Sequence, residues 1–464
     1  MLATKFYLLA KKLSPTHILI LAFLLIQFVG CILLWLPISS KTNGVSFIDA
    51  FFTATSALCV TGLIVKNTLW QWSLFGKLVI MTLIEIGGLG FMTIIAALFI
   101  LIGKKITLKE RLIIQESLNQ LNYKGIVAFV KKISCWVLVM QGFGALVLSV
   151  RFMFLPDINF YWAIFLGVFH SISAYCNAGF DLIGNNNMVP FVNDITVNLT
   201  VMILITLGGI GYVVIEDCFH VFIDLSYKKL TLLQKFERLK LHSKLVIISS
   251  IILTFCGAAL IFMCEFTNPA TLANSKLSEK IFASFFQSVS ARTAGFNSIS
   301  EHGLRPVSKL ITIILMFIGG SPGGTAGGVK TVTFAVLVLS VINAAKGSNR
   351  IEIFERTISF YNLQKALTIT FFNFAAIFIS SLLLSIFHPN LDFLDIIFET
   401  SSAVGTVGLT VGVMSHLSTI GKLIICIDMM IGKLGPISIA VALFLKRANT
   451  NNIINYPQEK VIIG

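Results

Sequence analysis

GGSPGGTAGGVK, residues 319–330, is the stretch on which the fold turns. Six of its first ten residues are glycine and one is proline. In a helix each glycine costs about 1 kcal/mol against alanine and proline about 3, so this run is not regular helix. Its flanks, ILMFI (314–318) and VTFAVLVLSVI (332–342), nevertheless look like helix at membrane depth. Irregular backbone at that depth is tolerated only where it is buried in protein or lines a watery cavity. A phosphate-binding loop would need Gly-Lys-Ser/Thr in direct succession. Val329 separates Gly328 from Lys330 here, and no acidic partner strand is evident, so nucleotide binding is set aside.

Working outward, the chain of 464 residues is 56% hydrophobic and only 12% charged. Soluble domains carry about 25% charged residues. Uncharged apolar runs at 18–40, 133–150, 245–264 and 366–387 are each long enough to span a bilayer. The first is too long, and lacks the small-residue site, for a cleaved signal peptide. The net charge of +14 is not spread as a nucleic-acid surface would be. Of 35 Lys and Arg, 23 fall in the N-terminus, 103–132, 224–244, 346–365 and the tail after 445. Segments 181–195 and 388–395 hold aspartates and neither Lys nor Arg. That asymmetry is the positive-inside pattern and places both termini in the cytoplasm. Eight dispersed cysteines without CxxC, and seven histidines without HxxxH, support neither disulfides nor a metal site.

Four motifs then stand out: TSALCVTGL (55–63), SISAYCNAGF (171–180), SVSARTAGF (288–296) and SSAVGTVGL (401–409). Their glycines, Gly62, Gly179, Gly295 and Gly408, are 117, 116 and 113 residues apart. Ten positions before each lies Phe52, Phe169, Phe285 or Phe398, and five before lies Ala57, Ala174, Ser290 or Ala403. Near-equal spacing with shared marks is the signature of an internal repeat. A glycine mark follows each motif: GGLG (87–90), GGIG (208–211), GGSPGG (319–324) and GKLG (432–435). In the first, second and fourth copies it reads equally well as close helix packing. In the third, ten irregular residues exceed any packing need. The fold predicted is an all-α polytopic membrane protein of eight spans, with a re-entrant helix inside each repeat. The repeats are expected over 1–104, 105–226, 227–347 and 348–447, with a cytoplasmic tail at 448–464.

Four re-entrant loops about one axis bring four extended backbones together, and glycine lets their carbonyls approach a shared centre. Carbonyl rings that replace a hydration shell are how a potassium filter works. The predicted donors are Cys59, Val60, Thr61 and Gly62; Cys176, Asn177, Ala178 and Gly179; Arg292, Thr293, Ala294 and Gly295; and Gly405, Thr406, Val407 and Gly408. Side chains at matching positions are unrelated, as expected if backbone does the coordination.

SISAYCNAGFDL, ARTAGFNS, SSAVGTVGLT and GGSPGGTAGG together resemble the Trk/Ktr/HKT superfamily of potassium transporters. The likeness is to its KtrB type, whose ending resembles YPQEKVIIG (456–464), and it covers essentially the whole chain. The resemblance implies that Gly62, Gly179, Gly295 and Gly408 are filter glycines. Plant members with serine at the first of these pass sodium, so Gly62 implies potassium. The third insert, with Gly319, Gly320, Gly323, Gly324, Thr325, Gly327 and Gly328, corresponds to the family's intramembrane gating loop. Family members generally carry arginine where Lys433 aligns; lysine keeps the charge but loses the guanidinium fork. The resemblance further implies a cell-membrane homodimer on a cytosolic ring of nucleotide-binding, KtrA/KtrC-like regulatory subunits. No nucleotide is expected on this chain, since its glycine loop lacks the phosphate-binding spacing, and the resemblance is compatible with sodium-dependent uptake.

Charges at membrane depth each cost about 2.5–3.5 kcal/mol or more. Glu85 is expected either to face the pore vestibule or to pair across repeats. Lys330 is expected to reach the cytoplasmic interface, and Arg292 to point behind the filter into a structural pair. Asp428 is expected to find an interhelical partner, and Glu216 and Asp217 to be solvated. Val289 stands where the other motifs have Ser56, Ser173 and Ser402, a break in the fourfold pattern. A secondary transporter working by alternating access is the competing class, since broken helices mark it too, though usually in two repeats. An enzyme would need catalytic side chains clustered at depth, and the sequence offers none.

Overall fold

The structure is a computed structural model. It describes residues 15–435, apart from 43, 91–92, 95, 97–110, 112–113, 115–124, 157, 185–186, 224–229 and 349. The tail predicted at 448–464, with YPQEKVIIG, lies outside the described residues.

One succession of elements occurs four times: a long helix, a short helix, an extended turn, and a helix running back. The first set is α1 (Pro15–Trp35), α2 (Phe47–Cys59) and α3 (Leu74–Leu89). The second is α4 (Ile126–Met153), α5 (Phe160–Tyr175) and α6 (Ile195–Gly209), continued after a 100° bend by α7 (Tyr212–Ile223). A short α8 (Leu232–Arg238) leads into α9 (Leu241–Glu265), α10 (Leu277–Ser290) and α11 (Pro306–Phe317). The glycine stretch separates α11 from α12 (Thr331–Ala345). The fourth set is α13 (Phe360–Phe387), α14 (Phe393–Gly405) and α15 (Thr419–Leu434).

Among the described residues, α1, α4, α9 and α13 are long and apolar enough to cross a membrane; α6 with α7 makes a fifth if the bend is counted within one span. At about 1.5 Å per residue, the 28 residues of α4 reach about 42 Å. Their outer faces carry exposed Leu25, Phe28, Phe143, Leu146, Phe255, Phe371 and Phe374, an apolar belt that only lipid can solvate. Any continuation of α3 past Gly90 and of α15 past Gly435 lies largely outside the described residues.

Short helices begin where polar side chains cap them. Ser46 accepts from the Asp49 amide at 3.2 Å, Asn159 from Trp162 at 2.8 Å and Asp392 from Leu394 at 3.0 Å. The returning helices start the same way, at Ser73, Asp194 and Ser418, with Pro306 at the first turn of α11. Such caps satisfy amides that the first helical turn leaves free. The short helices end inside the molecule and are buried toward their C-terminal ends.

Each returning helix packs on the short helix of the next set: α3 on α5, α6 on α10, α11 on α14 and α15 on α2. The four sets therefore close into a ring. Cation contacts mark three of these joints. Lys309 pairs with Asp395 at 2.6 Å, Lys422 with Asp49 at 2.7 Å, and the Lys77 ammonium sits 4.9 Å above the Trp162 ring.

One small element departs from the all-helical expectation. β1 (Ile351–Ile353) and β2 (Arg356–Ile358) form an antiparallel hairpin between α12 and α13. Its two turn residues, Phe354 and Glu355, have φ of 49° and 58°, the geometry that matches strand twist. Glycine or asparagine usually fills such a turn, so the stretch carries no recognisable hairpin signal. Ile351 anchors it against Val336 and Ala366.

Candidate functional site

The four short helices stop at a turn of common shape. Two positions before each motif glycine, Val60, Asn177, Thr293 and Thr406 have φ of 58°, 60°, 83° and 50°. The glycines themselves, Gly62, Gly179, Gly295 and Gly408, have φ of 92°, 67°, 76° and 96°. Side chains rarely tolerate this region. Its recurrence at the four matched non-glycine positions shows a backbone shape kept against local cost.

The glycines meet one another. A Cβ added to Gly62 would fall on the Ala178 carbonyl oxygen, and one on Gly408 on that of Thr61. Added to Gly179 it would lie 2.8 Å from the Ala294 oxygen, and added to Gly295, 2.5 Å from that of Val407. The circle closes in the order of the packed helices. Thr61, Ala178, Ala294 and Val407 thus bring their carbonyls to one ring, with no room for a side chain between them. Cys59 and Gly405 are the last residues of α2 and α14, Cys176 directly follows α5, and Arg292 lies two residues past α10. The negative ends of four helix dipoles also converge here. Carbonyls and dipoles together give the ring a partial negative character that suits a cation.

A serine braces each turn. Ser56 Oγ accepts from the Gly62 amide at 3.1 Å and Ser402 Oγ from that of Gly408 at 3.0 Å. Ser173 Oγ donates to the Phe180 carbonyl at 2.7 Å, and Ser290 Oγ donates to that of Phe296. The break in pattern expected at Val289 is therefore corrected. The Ala294 amide bonds back four residues to Ser290, whereas Thr61, Ala178 and Val407 bond back five, to Ser56, Ser173 and Ser402. The third turn is one residue shorter, so Ser290 takes the brace and Val289 does not align with it.

Directly beside the ring lies the glycine stretch. Gly319 donates to the Val329 carbonyl at 2.8 Å and Thr331 to that of Gly320 at 3.0 Å, so the loop is pinched at its neck. Gly327 abuts the Thr406 side chain, and a Cβ on Gly328 would lie 3.3 Å from Gly405 Cα. A Cβ on Gly319 would lie 3.2 Å from the Thr293 methyl. The loop thus presses on the third and fourth turns. Gly208 and Gly209, at the bend between α6 and α7, accept from the amides of Thr325 (3.1 Å) and Ser321 (2.9 Å), while Tyr212 N–H donates to Gly323 O (3.1 Å). On the other flank Lys433 Nζ donates to the Thr325 carbonyl at 3.1 Å. Gly320, Gly323, Gly324 and Thr325 are therefore held between the second and fourth repeats.

The remaining glycine marks serve close packing. A Cβ on Gly87, Gly208 or Gly432 would strike the Leu58, Tyr175 or Val404 carbonyl, each four residues before a ring glycine. The second mark, GGIG, has an additional part that its sequence does not reveal: its free carbonyls and the φ of 93° at Gly211 make the bend that receives the loop.

Of the charges expected at depth, Glu85 pairs across repeats, accepting from Gln141 Nε2 at 2.9 Å and from the Cys176 thiol at 3.4 Å. Arg292 turns away from the ring and donates to Thr254 Oγ1 on α9 at 2.5 Å. Asp428 accepts from Ser380 on α13 at 2.6 Å. Two expectations are overturned. Lys330 does not reach out to the interface but donates back to the Ala326 carbonyl at 2.5 Å, because four residues of turn bring that oxygen to its ammonium. Asp217 is buried rather than solvated, accepting from Lys240 N at 2.9 Å and Ser243 Oγ at 2.6 Å to cap α9. Glu216 does stay near solvent, paired with Lys132 at 2.9 Å.

Lipid-facing helices around a backbone ring fed by four helix C-termini fit the class of membrane cation-transport proteins. Residues 11–453 match the family described as TrkH, cation transport protein, and the chain belongs to it. It is 39% identical over 453 residues to Ktr system potassium uptake protein B of Bacillus subtilis, covering 98% of this chain and 97% of that one. It is 37% identical over 458 residues to potassium/sodium uptake protein NtpJ of Enterococcus hirae, covering 98% of each. A crystal structure of the potassium transporter TrkH from Vibrio parahaemolyticus superposes with TM-score 0.71 at 17% identity, over 93% of this chain and 85% of the other. At that identity the likeness concerns the fold. The protein is a multi-pass membrane transporter and not an enzyme.

Proposed function

We propose that the chain is the membrane subunit of a potassium-uptake system. Potassium passes the ring of Thr61, Ala178, Ala294 and Val407 carbonyls, and the loop 319–330 gates the path beside it. The closed glycine ring carries this proposal, because a fixed oxygen ring selects an ion by replacing its hydration shell. The names of the Bacillus and Enterococcus relatives support potassium as the ion, and the second makes sodium a candidate for coupling or activation. The basic segments support a cell-membrane topology with both termini cytoplasmic. A homodimer seated on a cytosolic nucleotide-binding ring would act on the loop through the helices that hold it.

The test is uptake by cells lacking their own potassium transport, with wild type beside Gly62→Ser. Wild type restores growth at low potassium and prefers potassium to sodium, and Gly62→Ser loses much of that preference. Equal preference in both would overturn selection by the ring. In reconstituted vesicles, deleting 320–328 raises potassium flux; unchanged flux sinks the gate. Throughput far above the turnover of a rocking carrier separates a pore from alternating access.

A further inference from the structure

We propose that a groove between α4 and α7 binds one anionic phospholipid of the cytoplasmic leaflet, and that its occupancy is felt at the loop 319–330 through Tyr212. The proposal rests on the topology and gate proposed above. The groove is a cavity of about 830 Å³, within the range that holds one amphiphile. Phe129, Ile133, Trp136, Ile215 and Phe219 give it an apolar wall, and Trp136 meets Phe219 edge to face at 4.7 Å. Leu138 and Val139 beside it are 69% and 54% exposed on the lipid-facing side of α4, so an acyl chain can enter sideways.

The rim is polar and, on balance, basic. Lys132 and Lys240 line it. Glu216 and Asp217 line it too, and Lys235 of α8 donates to the Phe222 carbonyl at the end of α7 at 3.4 Å, so three cations stand against two carboxylates. His220 of α7 also lines it. Asp217 is occupied in capping α9. The Lys132–Glu216 pair is 70% and 46% exposed, which makes it weak and free to exchange its carboxylate for a phosphate. Anionic headgroups are attracted to such clusters at the cytoplasmic surface, where tryptophan also favours the interface. An apolar slot opening to lipid under a net-positive rim fits a phospholipid better than a soluble anion.

The same cavity reaches the gate. Tyr212 is both a lining residue and the first residue of α7, and its amide holds the Gly323 carbonyl. A lipid wedged between α4 and α7 therefore bears on the contact that fixes the loop.

The full chain is reconstituted in phosphatidylcholine vesicles containing brominated phosphatidylglycerol or, separately, brominated phosphatidylcholine at equal mole fraction. Bromine quenches nearby tryptophan, and the difference between wild type and Trp136→Phe isolates Trp136. Phosphatidylglycerol should quench Trp136 at least twofold more than phosphatidylcholine does, and the excess should vanish in Lys132→Gln/Lys240→Gln, a change confined to exposed side chains. Equal quenching by the two lipids, or an excess that survives the double variant, overturns the site. Potassium flux is the second readout. Wild-type flux should change at least twofold between neutral and phosphatidylglycerol-containing vesicles, and the double variant should not respond. A lipid that quenches without altering wild-type flux overturns the link to the gate. Absence of any potassium flux, with quenching intact, counts against the transport function instead.

Discussion

At Gly62 two constraints coincide: a φ of 92°, and a neighbouring carbonyl where a side chain would begin. Serine there must move the Ala178 oxygen or the turn itself. Because the ring is closed, the displacement passes on to its neighbours. A change of about 1.4 kcal/mol in the difference between two ions is already tenfold in preference. Gly62→Ser is therefore expected to cut potassium preference over sodium by at least about tenfold, measured by competition in uptake. A second prediction separates two adjacent residues. Ser290→Ala leaves the Phe296 carbonyl without its brace and should lower stability by about 1–3 kcal/mol, seen as a lower melting temperature and weaker selectivity. Val289→Ser should restore nothing. The glycines were legible in sequence because only glycine suits that backbone so cheaply. The serine was not, because a turn shortened by one residue shifts the register without altering the motif's appearance.

Held at its neck by its own backbone, the loop 319–330 depends on its neighbours for its place. Lys433 on α15 and the bend between α6 and α7 grip it from two sides. Lys433→Met removes one grip and should raise resting potassium flux several-fold in vesicles, whereas Lys433→Arg, which retains a donor and the charge, should stay near wild type. No change in the methionine variant would mean that the bend alone suffices. Six glycines and a proline made the loop's irregularity plain from composition. Its receptor was hidden: GGIG resembles the packing glycines of the other repeats, and only the chain direction after Gly211 turns its carbonyls toward the loop. Lys330 and Asp217 escape a sequence reading for a similar reason, since a charge near a helix end looks solvated until the fold supplies its partner.

Across the molecule, the order of the repeats round the ring was not written in any one motif, and it follows from which returning helix meets which short helix. The Lys422–Asp49 pair joins the last repeat to the first, closing the circle with two largely buried charges. Removing one charge strands the other, at about 3 kcal/mol or more. Lys422→Met should thus lower the melting temperature clearly, and adding Asp49→Asn should recover part of the loss. If the single variant melts as wild type does, closure rests on apolar contacts alone. The repeat spacing and apolar runs made the overall architecture legible, whereas the hairpin at 351–358 was invisible because its turn residues are atypical. Among the described residues, only the third repeat carries an expanded loop beside the axis, while the first, second and fourth keep compact glycine marks. Four separate, identical subunits would bring four such loops to one place, where each would exclude the rest. Linking the repeats in one polypeptide lets each copy diverge by itself, so that a single asymmetric insert can serve a symmetric aperture.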